Sequence, residues 1–439
     1  MKPLSLDLDT SMGEPRLKLS ENLTEFPPEI LELSDSLEIL DLSNNQLKTL
    51  PPEFSQLKKL RVVFFNNNQF EEFPEVLAAC PNLSMISFKS NKIKTIGETA
   101  LSPNIRWLIL TNNQLTSLPR SMGNLTKLQK CMLAGNQLQT LPDEMASCKS
   151  LELIRLAANQ LQTLPSWLLT LPRLTWLAYA GNPFCKSPNL QHNESIAAVD
   201  PAELQLGEIL GQGASGVIYK ARWQSDSSSV DAQVAVKLFK GEMTSDGLPL
   251  DEMQTCIAAG DHPNLVNVLG KLSQPIDGKA GLVFSFIPDE YVNLGGPPSL
   301  ESCTRDTYAE NTIFALPVIL KIAQGIASVV AHLHTRNILH GDLYAHNILV
   351  NNQGKSILGD FGAASFFEGC DRTTESLQRL ESRAFGCLLE DLLDRCSPEH
   401  QSAGTVFQQL RQLQQQCMSP VANERPLFDA IAQRLPAAD

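Results

Sequence analysis

The chain has 439 residues, too many for one hydrophobic core and enough for two or three domains. Its 43% hydrophobic and 19% charged content excludes wholesale disorder, and its net charge of −13 argues against nucleic acid or an anionic membrane as the main partner. Ten cysteines occur without a CxxC pair, so reduced structural thiols in a cytoplasmic setting are expected rather than a zinc ribbon or a thioredoxin-like site.

Residues 1–15 form a tail. The opening MKPLSLDLDTSMGEPRLKLS has no apolar core segment, so no secretory leader is expected. No continuous apolar run of about 18 residues occurs, so no membrane span is expected either.

A period then takes over. LEILDLSNNQLKTLP from Leu37 recurs as LRVVFFNNNQFEEFP, LSMISFKSNKIKTIG, IRWLILTNNQLTSLP, LQKCMLAGNQLQTLP, LELIRLAANQLQTLP and LTWLAYAGNPF. Its asparagines, Asn45, Asn68, Asn91, Asn113, Asn136, Asn159 and Asn182, stand 22 or 23 residues apart. A degenerate first unit, LKLSENLTEFP, adds Asn22, again 23 before Asn45. Each unit offers one short strand whose inward apolar residues cannot be buried alone, so neighbours must stack. The asparagine amide would satisfy backbone groups of the bending loop. Residues 16–186 are identified as a leucine-rich repeat, an α/β solenoid.

Side chains flanking the inward pair face the concave surface. One column reads Ile39, Val62, Met85, Trp107, Lys130, Leu153, Trp176, and the next Asp41, Phe64, Ser87, Ile109, Met132, Arg155, Ala178. A protein partner or substrate is therefore expected on this apolar stripe, through Phe64, Met85, Trp107, Met132 and Trp176. A stripe covered by the chain's own tail, or one that binds nothing, is the alternative. Cys80, Cys131 and Cys148 fall at or near core positions.

Residues 187–203 read as a polar linker, and a second domain follows over 204–436. LGEILGQGASGVIYKA holds Gly211, Gly213 and Gly216, which let backbone amides approach phosphate oxygens. GxGxxG alone could also open a dinucleotide fold, but VIYKARW after it reads as a strand, where that fold needs a helix. VAVK places Ala235 and Lys237 on one side of a strand. LDEMQTCIAAGDHPNLV offers Glu252, with Asp251 as fallback, to hold the lysine. LVFSFIP reads as a further strand. ILHGDLYAHNILV carries Asp342 and Asn347, and Asp360-Phe361-Gly362 follows thirteen residues later.

These motifs, in this order, resemble the eukaryotic-type protein kinase family, an α+β bilobal fold. The resemblance implies ATP and Mg²⁺. It implies Asp342, Lys237 and Glu252 in the catalytic machinery, and Asn347 and Asp360 on the metal. ATP would be held by Gly211, Gly213, Gly216, Val217, Ala235, Lys237, Phe284 as gatekeeper, Phe286 and Leu349. Val217 stands where the family covers the adenine ring.

The chain departs from the family in places. Gly341 replaces the arginine that pairs with a phosphorylated activation loop, so that regulation is not expected. Tyr344 stands where serine/threonine kinases have a lysine. The HGD form also occurs in kinases of small molecules. Asp360 and an ESRAFG segment at Glu381 lie only 21 residues apart, so the peptide-docking segment is shortened. Arg425 resembles an arginine whose usual glutamate partner is lost, with Glu375 and Glu381 as candidates.

The expected function is an ATP-dependent protein kinase, serine/threonine-type, acting on a hydroxyl of a partner recruited by the repeats. A catalytically weak nucleotide-binding scaffold and a small-molecule phosphotransferase are the alternatives. The compact kinase region fused directly to repeats looks bacterial, with delivery into a host cell left open.

Overall fold

The computed structural model describes residues 8–9, 13–185, 196–225, 230–241, 243–368, 372–401 and 405–436. Most of the expected tail, and positions 187–195 of the expected linker, lie outside them. The chain divides into two compact units, Met1–Leu174 with Asn182–Phe184, and Thr175–Gly181 with Cys185–Asp439. The division expected near residue 186 differs in one respect. The strand of the last repeat groups with the C-terminal unit.

The first unit stacks seven three-residue strands: β1 (Arg16–Lys18), β2 (Ile39–Asp41), β3 (Val62–Phe64), β4 (Met85–Ser87), β5 (Trp107–Ile109), β6 (Lys130–Met132) and β7 (Leu153–Arg155). They pair in parallel, in sequence order, with no register shift. The middle residue of each strand, such as Leu40, Val63, Leu108 and Cys131, is fully buried. Short 3-10 turns such as Pro52–Gln56 and Arg120–Asn124 return the chain, each following or starting at a proline that presets the backbone. Behind the strands Phe65 stacks on Phe88 at 5.0 Å, and Phe70 meets Phe88 edge-on at 5.0 Å.

The asparagine ladder does the work its chemistry suggests. Asn113 donates to Phe88 O (2.9 Å) and Leu110 O (3.0 Å) and accepts from Ile93 N (3.0 Å). Asn68, Asn136 and Asn159 repeat this set in other turns. Each amide thus joins two repeats; successive amides share carbonyls such as Leu110 O, and the backbone N–H that each amide accepts from would otherwise cost about 1–3 kcal/mol buried and unpaired.

Asn22 is not a rung. It is exposed and adopts φ 56°, the left-handed conformation that Asn44, Asn67, Asn112 and Ala158 take one residue before a ladder asparagine. The unit lacks one residue just after Asn22: Leu17 pairs with Leu40, yet Leu23 N donates to Asn45 as Leu47 N donates to Asn68.

The expected apolar stripe is partly covered. Ile39, Val62 and Met85 bury one another, with Phe64, Trp107 and Ile109 half-buried against them. Met132 and Trp176 are only 8% and 2% exposed. Strands about 4.8 Å apart bring column neighbours into lateral contact, which consumes much of their apolar surface.

The second unit opens with β8 (Trp176–Ala178), then β9 (Ala197–Val199), β10 (Leu204–Gln212), β11 (Gly216–Ser225), β12 (Val230–Phe239), α1 (Pro249–Ala259), β13 (Val268–Leu272) and β14 (Gly281–Ser285). Six strands form one sheet in the order β10-β11-β12-β14-β13-β9. Its core is Val199, Ala221, Val234, Val236, Leu238, Leu272 and Val283. A helical half follows: β15 (Val292–Asn293), α2 (Leu316–Thr335), β16 (Ile338–Leu339), β17 (Ile348–Val350), β18 (Ser356–Leu358), β19 (Ser365–Phe366), α3 (Arg372–Asp394), α4 (Pro398–Gln401), α5 (Thr405–Cys417) and α6 (Phe428–Arg434).

Among the described residues one helix, α2, is long and apolar enough by composition alone to cross a membrane. Lys321, Gln324 and His332 interrupt it, so it holds no continuous apolar run of that length. Ile319, Ile322, Ala323, Ile326, Val330 and Leu333 are fully buried, and the helix packs on α3, α6 and β18 as a core helix does.

Candidate active site

A cleft of about 470 Å³ lies between the sheet and the helical half. Above it β10 and β11 are joined by a tight hairpin in which Gly213 N donates to Gly216 O at 3.0 Å. Side chains at Gly211 and Gly213 would project into open space, whereas a Cβ at Gly216 would lie 2.6 Å from Leu238 O. Gly216 is therefore required by close backbone approach. Gly213 and Gly216 line a smaller pocket under this hairpin, and Gly211 lines neither that pocket nor the cleft.

Strand β12 sends Ala235 and Lys237 into the cleft from one face, as period-two alternation requires. Lys237 Nζ pairs with Glu252 in the first turn of α1, and both side chains are nearly inaccessible. Burial alone would lower the Lys237 pKa, but the Glu252 and Asp360 carboxylates outweigh it and hold the ammonium charged, above its ordinary range. Asp251, the fallback partner, is not in this pair. Its carboxyl is pushed up by burial alone.

Phe284, Phe286 and Leu349 line the cleft as the sequence suggests. Val217 does not. It is buried, while Ile218 lines both the main cleft and the smaller pocket under the glycine hairpin. Ile218 pairs with Lys237 and Val217 with Leu238. A shift of one residue along a strand moves a side chain to the opposite face.

The loop between β16 and β17 carries Asp342 and Asn347. Asn347 Nδ2 donates to the Asp342 carboxylate and to its carbonyl oxygen, both at 2.9 Å. The amide nitrogen is thereby committed, which leaves Asn347 Oδ1 as the acceptor available to a cation. Asp360, at φ 53°, accepts from Gly362 N at 3.1 Å and lines the cleft beside Lys237. The donor set is oxygen alone, which suits Mg²⁺. His340 links this loop to the aspartate that follows, bonding Gly359 O at 2.9 Å and packing 5.3 Å from Phe361.

Several residues were missed at the sequence level. His346 lines the cleft and bonds Asp306 Oδ1 at 2.6 Å. Burial would lower its pKa, but the Asp306 hydrogen bond and the charges of Asp306, Asp342 and Asp360 raise it. Asp306 also accepts from Ala345 N at 2.6 Å, so it fixes the loop from a distant segment that carries no motif. Asp246 and Thr244 line the pocket under the glycine hairpin.

Glu381 of α3 accepts from Gly341 N at 2.8 Å and bonds His334 Nε2 at 2.6 Å. Glu375 pairs with Arg379. Arg425 is fully buried, donates to Ser419 O at 2.9 Å, and has its pKa pushed down to about 10 by burial.

Comparison with known proteins agrees in both halves. Residues 204–384 match the family described as protein tyrosine and serine/threonine kinase. Residues 35–77 and 103–161 match leucine-rich repeat families. Among curated relatives, fibroblast growth factor receptor 1 of Xenopus laevis is 27% identical over 170 residues, covering 37% of this chain and 21% of the receptor. Human receptor tyrosine-protein kinase erbB-4 is 26% identical over 198 residues, 43% of this chain and 14% of that protein. The probable serine/threonine-protein kinase kinY of Dictyostelium discoideum is 27% identical over 185 residues, 39% and 30% respectively. The match thus spans under a third of each of these relatives. The chain joins N-terminal leucine-rich repeats to a C-terminal protein kinase domain.

Proposed function

We propose that this chain is an ATP- and Mg²⁺-dependent protein kinase of the serine/threonine type, acting in the cytoplasm on a protein held by its repeats. The observation that carries the reading is the buried Lys237–Glu252 pair beside Asp360, with the Asp342 carboxylate fixed by Asn347.

Lys237 would neutralise phosphate charge, and Glu252 keeps it charged and aimed. Asp360 and Asn347 Oδ1 would hold Mg²⁺, which when bound supplies neutralisation of the phosphate oxygens. Asp342 would take the proton of the acceptor hydroxyl as its oxygen bonds to the γ-phosphorus and the bond to the departing ADP oxygen breaks. Ala235, Ile218, Phe284 and Leu349 give an apolar slot for a base. Buried free thiols, such as Cys80 and Cys148, support a reducing compartment.

Partner recruitment would use the concave repeat face. Phe64 and Trp107 are its half-exposed aromatic positions, with Lys130 Nζ 4.2 Å from the Trp107 ring centre. Met85, Met132 and Trp176 are too buried to be anchors.

The experiment offers labelled ATP and Mg²⁺ to the full chain with a pool of proteins and, separately, of metabolites. Label on serine or threonine of a protein, lost in Asp360→Asn, supports the reading. Label only on a metabolite favours the small-molecule alternative, and bound ATP with no label anywhere leaves a scaffold.

A further inference from the structure

Strand β8 carries the repeat pattern yet belongs to the kinase-domain unit. Its contacts there fall on the two segments that flank the reacting position. The Trp176 indole stacks on Tyr344, ring centres 4.2 Å apart and planes 10° off parallel, two residues after Asp342. Its Nε1 donates to Leu343 O at 3.1 Å. Tyr344 in turn lies 5.0 Å from the His346 ring, and His346 lines the cleft.

The segment after Asp360 is held in the same way. Tyr179 N donates to Ser365 Oγ at 3.2 Å, and Cys185 Sγ donates to Phe366 O at 3.4 Å. Between the two segments sits Gly341, at φ 73°, where a Cβ would lie 2.6 Å from Leu177 O and 2.7 Å from Ala363 O. The position of the expected arginine is thus filled by the backbone of β8. An arginine there has no room, and a phosphate on the segment would have no such partner.

We infer that β8, through Trp176 above all, is a positioning device that fixes the catalytic loop in place of the shortened activation segment, so that the loop is set without phosphorylation. Between Asp360 and α3 the described chain forms a turn at Gly362 and Ala363 and then the short strand β19, which pairs with β16 next to the loop. The hydrogen bond and ring stack of Trp176 go to Leu343 and Tyr344, neither of which lines the cleft. Trp176 acts through Leu343 and Tyr344 on Asp342 and Asn347. The role in catalysis rests on the kinase reading proposed above; the bracing itself does not.

The test compares Trp176→Ala, Trp176→Phe and Ser365→Ala in the full chain, by backbone hydrogen exchange and by phosphoryl-transfer kinetics. In Trp176→Ala, exchange over residues 339–347 is expected to rise at least about 10-fold while β11 and β12 keep their protection. The turnover rate at saturating ATP is expected to fall about 100-fold with the KM for ATP within twofold, because a loop displaced by about 1 Å loses the reacting geometry and not the nucleotide. Trp176→Phe keeps the stack and loses the N–H bond, so it is expected to retain most of the rate. Ser365→Ala is expected to raise exchange around β19 first. Unchanged exchange over 339–347 in Trp176→Ala would overturn the inference, as would an equal rise throughout the unit or a loss confined to the KM for ATP. If the unaltered chain transfers no phosphate, the kinase reading fails, and the exchange measurement still decides the brace.

Discussion

Gly341→Ala probes a tight backbone site beside Asp342. The residue sits at φ 73°, and a left-handed alanine costs roughly 1–2 kcal/mol in any surroundings. Here the new Cβ would also fall 2.6 Å from Leu177 O and 2.7 Å from Ala363 O. Neither is the end of a flexible side chain. Backbone must move, which adds an overpacking cost of about 1–3 kcal/mol. Gly278 provides the control, since it has the same φ of 73° with nothing within 4 Å of its built Cβ. Gly278→Ala is expected to cost about 1–2 kcal/mol and Gly341→Ala about 2–5 kcal/mol. For a unit of about 250 residues this is on the order of 2–4 °C per kcal/mol in the thermal transition of the C-terminal unit. Calorimetry or denaturant unfolding followed by the tryptophans of that unit would measure both. If the two variants shift the transition equally, β8 does not crowd Gly341, and the reason given for the missing arginine is wrong.

Other outcomes follow from the same coordinates. Ile218→Ala is expected to raise the KM for ATP about 10-fold, the worth of roughly 1.4 kcal/mol of apolar contact, while Val217→Ala lowers stability and spares the KM. Nucleotide titration of both variants separates the two faces of β11. Glu252→Gln removes one carboxylate from Lys237 and is expected to cut phosphoryl transfer by about 100-fold with the fold intact, measured as turnover beside circular dichroism. Asn113→Ala leaves Ile93 N without its acceptor and takes one of two amide donors from each of Phe88 O and Leu110 O, and is expected to cost about 1–3 kcal/mol in the repeat unit by urea unfolding. Ala158→Gly relieves a left-handed alanine at φ 51° and is expected to gain about 1 kcal/mol in the same assay.

How much could be read beforehand follows from where each signal is stored. The repeats were legible because their period is written in identical residue types, and the amide of Asn113 bonds as that pattern demands. Asn22 keeps the spacing of 23 although its unit lacks the next residue, so spacing alone does not reveal that it stays exposed. Lys237, Glu252 and Asp360 were legible as separate motifs, and the fold brings them together. Val217 and Ile218 differ only in strand phase, and the hairpin at Gly213–Gly216 sets that phase. Asp306 was not legible at all. It reaches Ala345 and His346 from a segment without periodicity, and only tertiary structure joins them. Exposure along the concave stripe was not legible, since Ile39, Val62 and Met85 bury one another while Trp176 is covered by Tyr344 from another motif. Gly341 was noticed as a loss, and its cause, the carbonyl of Leu177, lay in a different motif altogether.

The central claim concerns phosphoryl transfer by Asp342. Its most direct test is the rate at which the full chain moves the γ-phosphate of ATP to a protein hydroxyl, compared with Asp342→Asn at saturating ATP and Mg²⁺. A loss of about 10²–10⁴-fold with ATP binding unchanged is the expected result. Equal rates in the two proteins would contradict it.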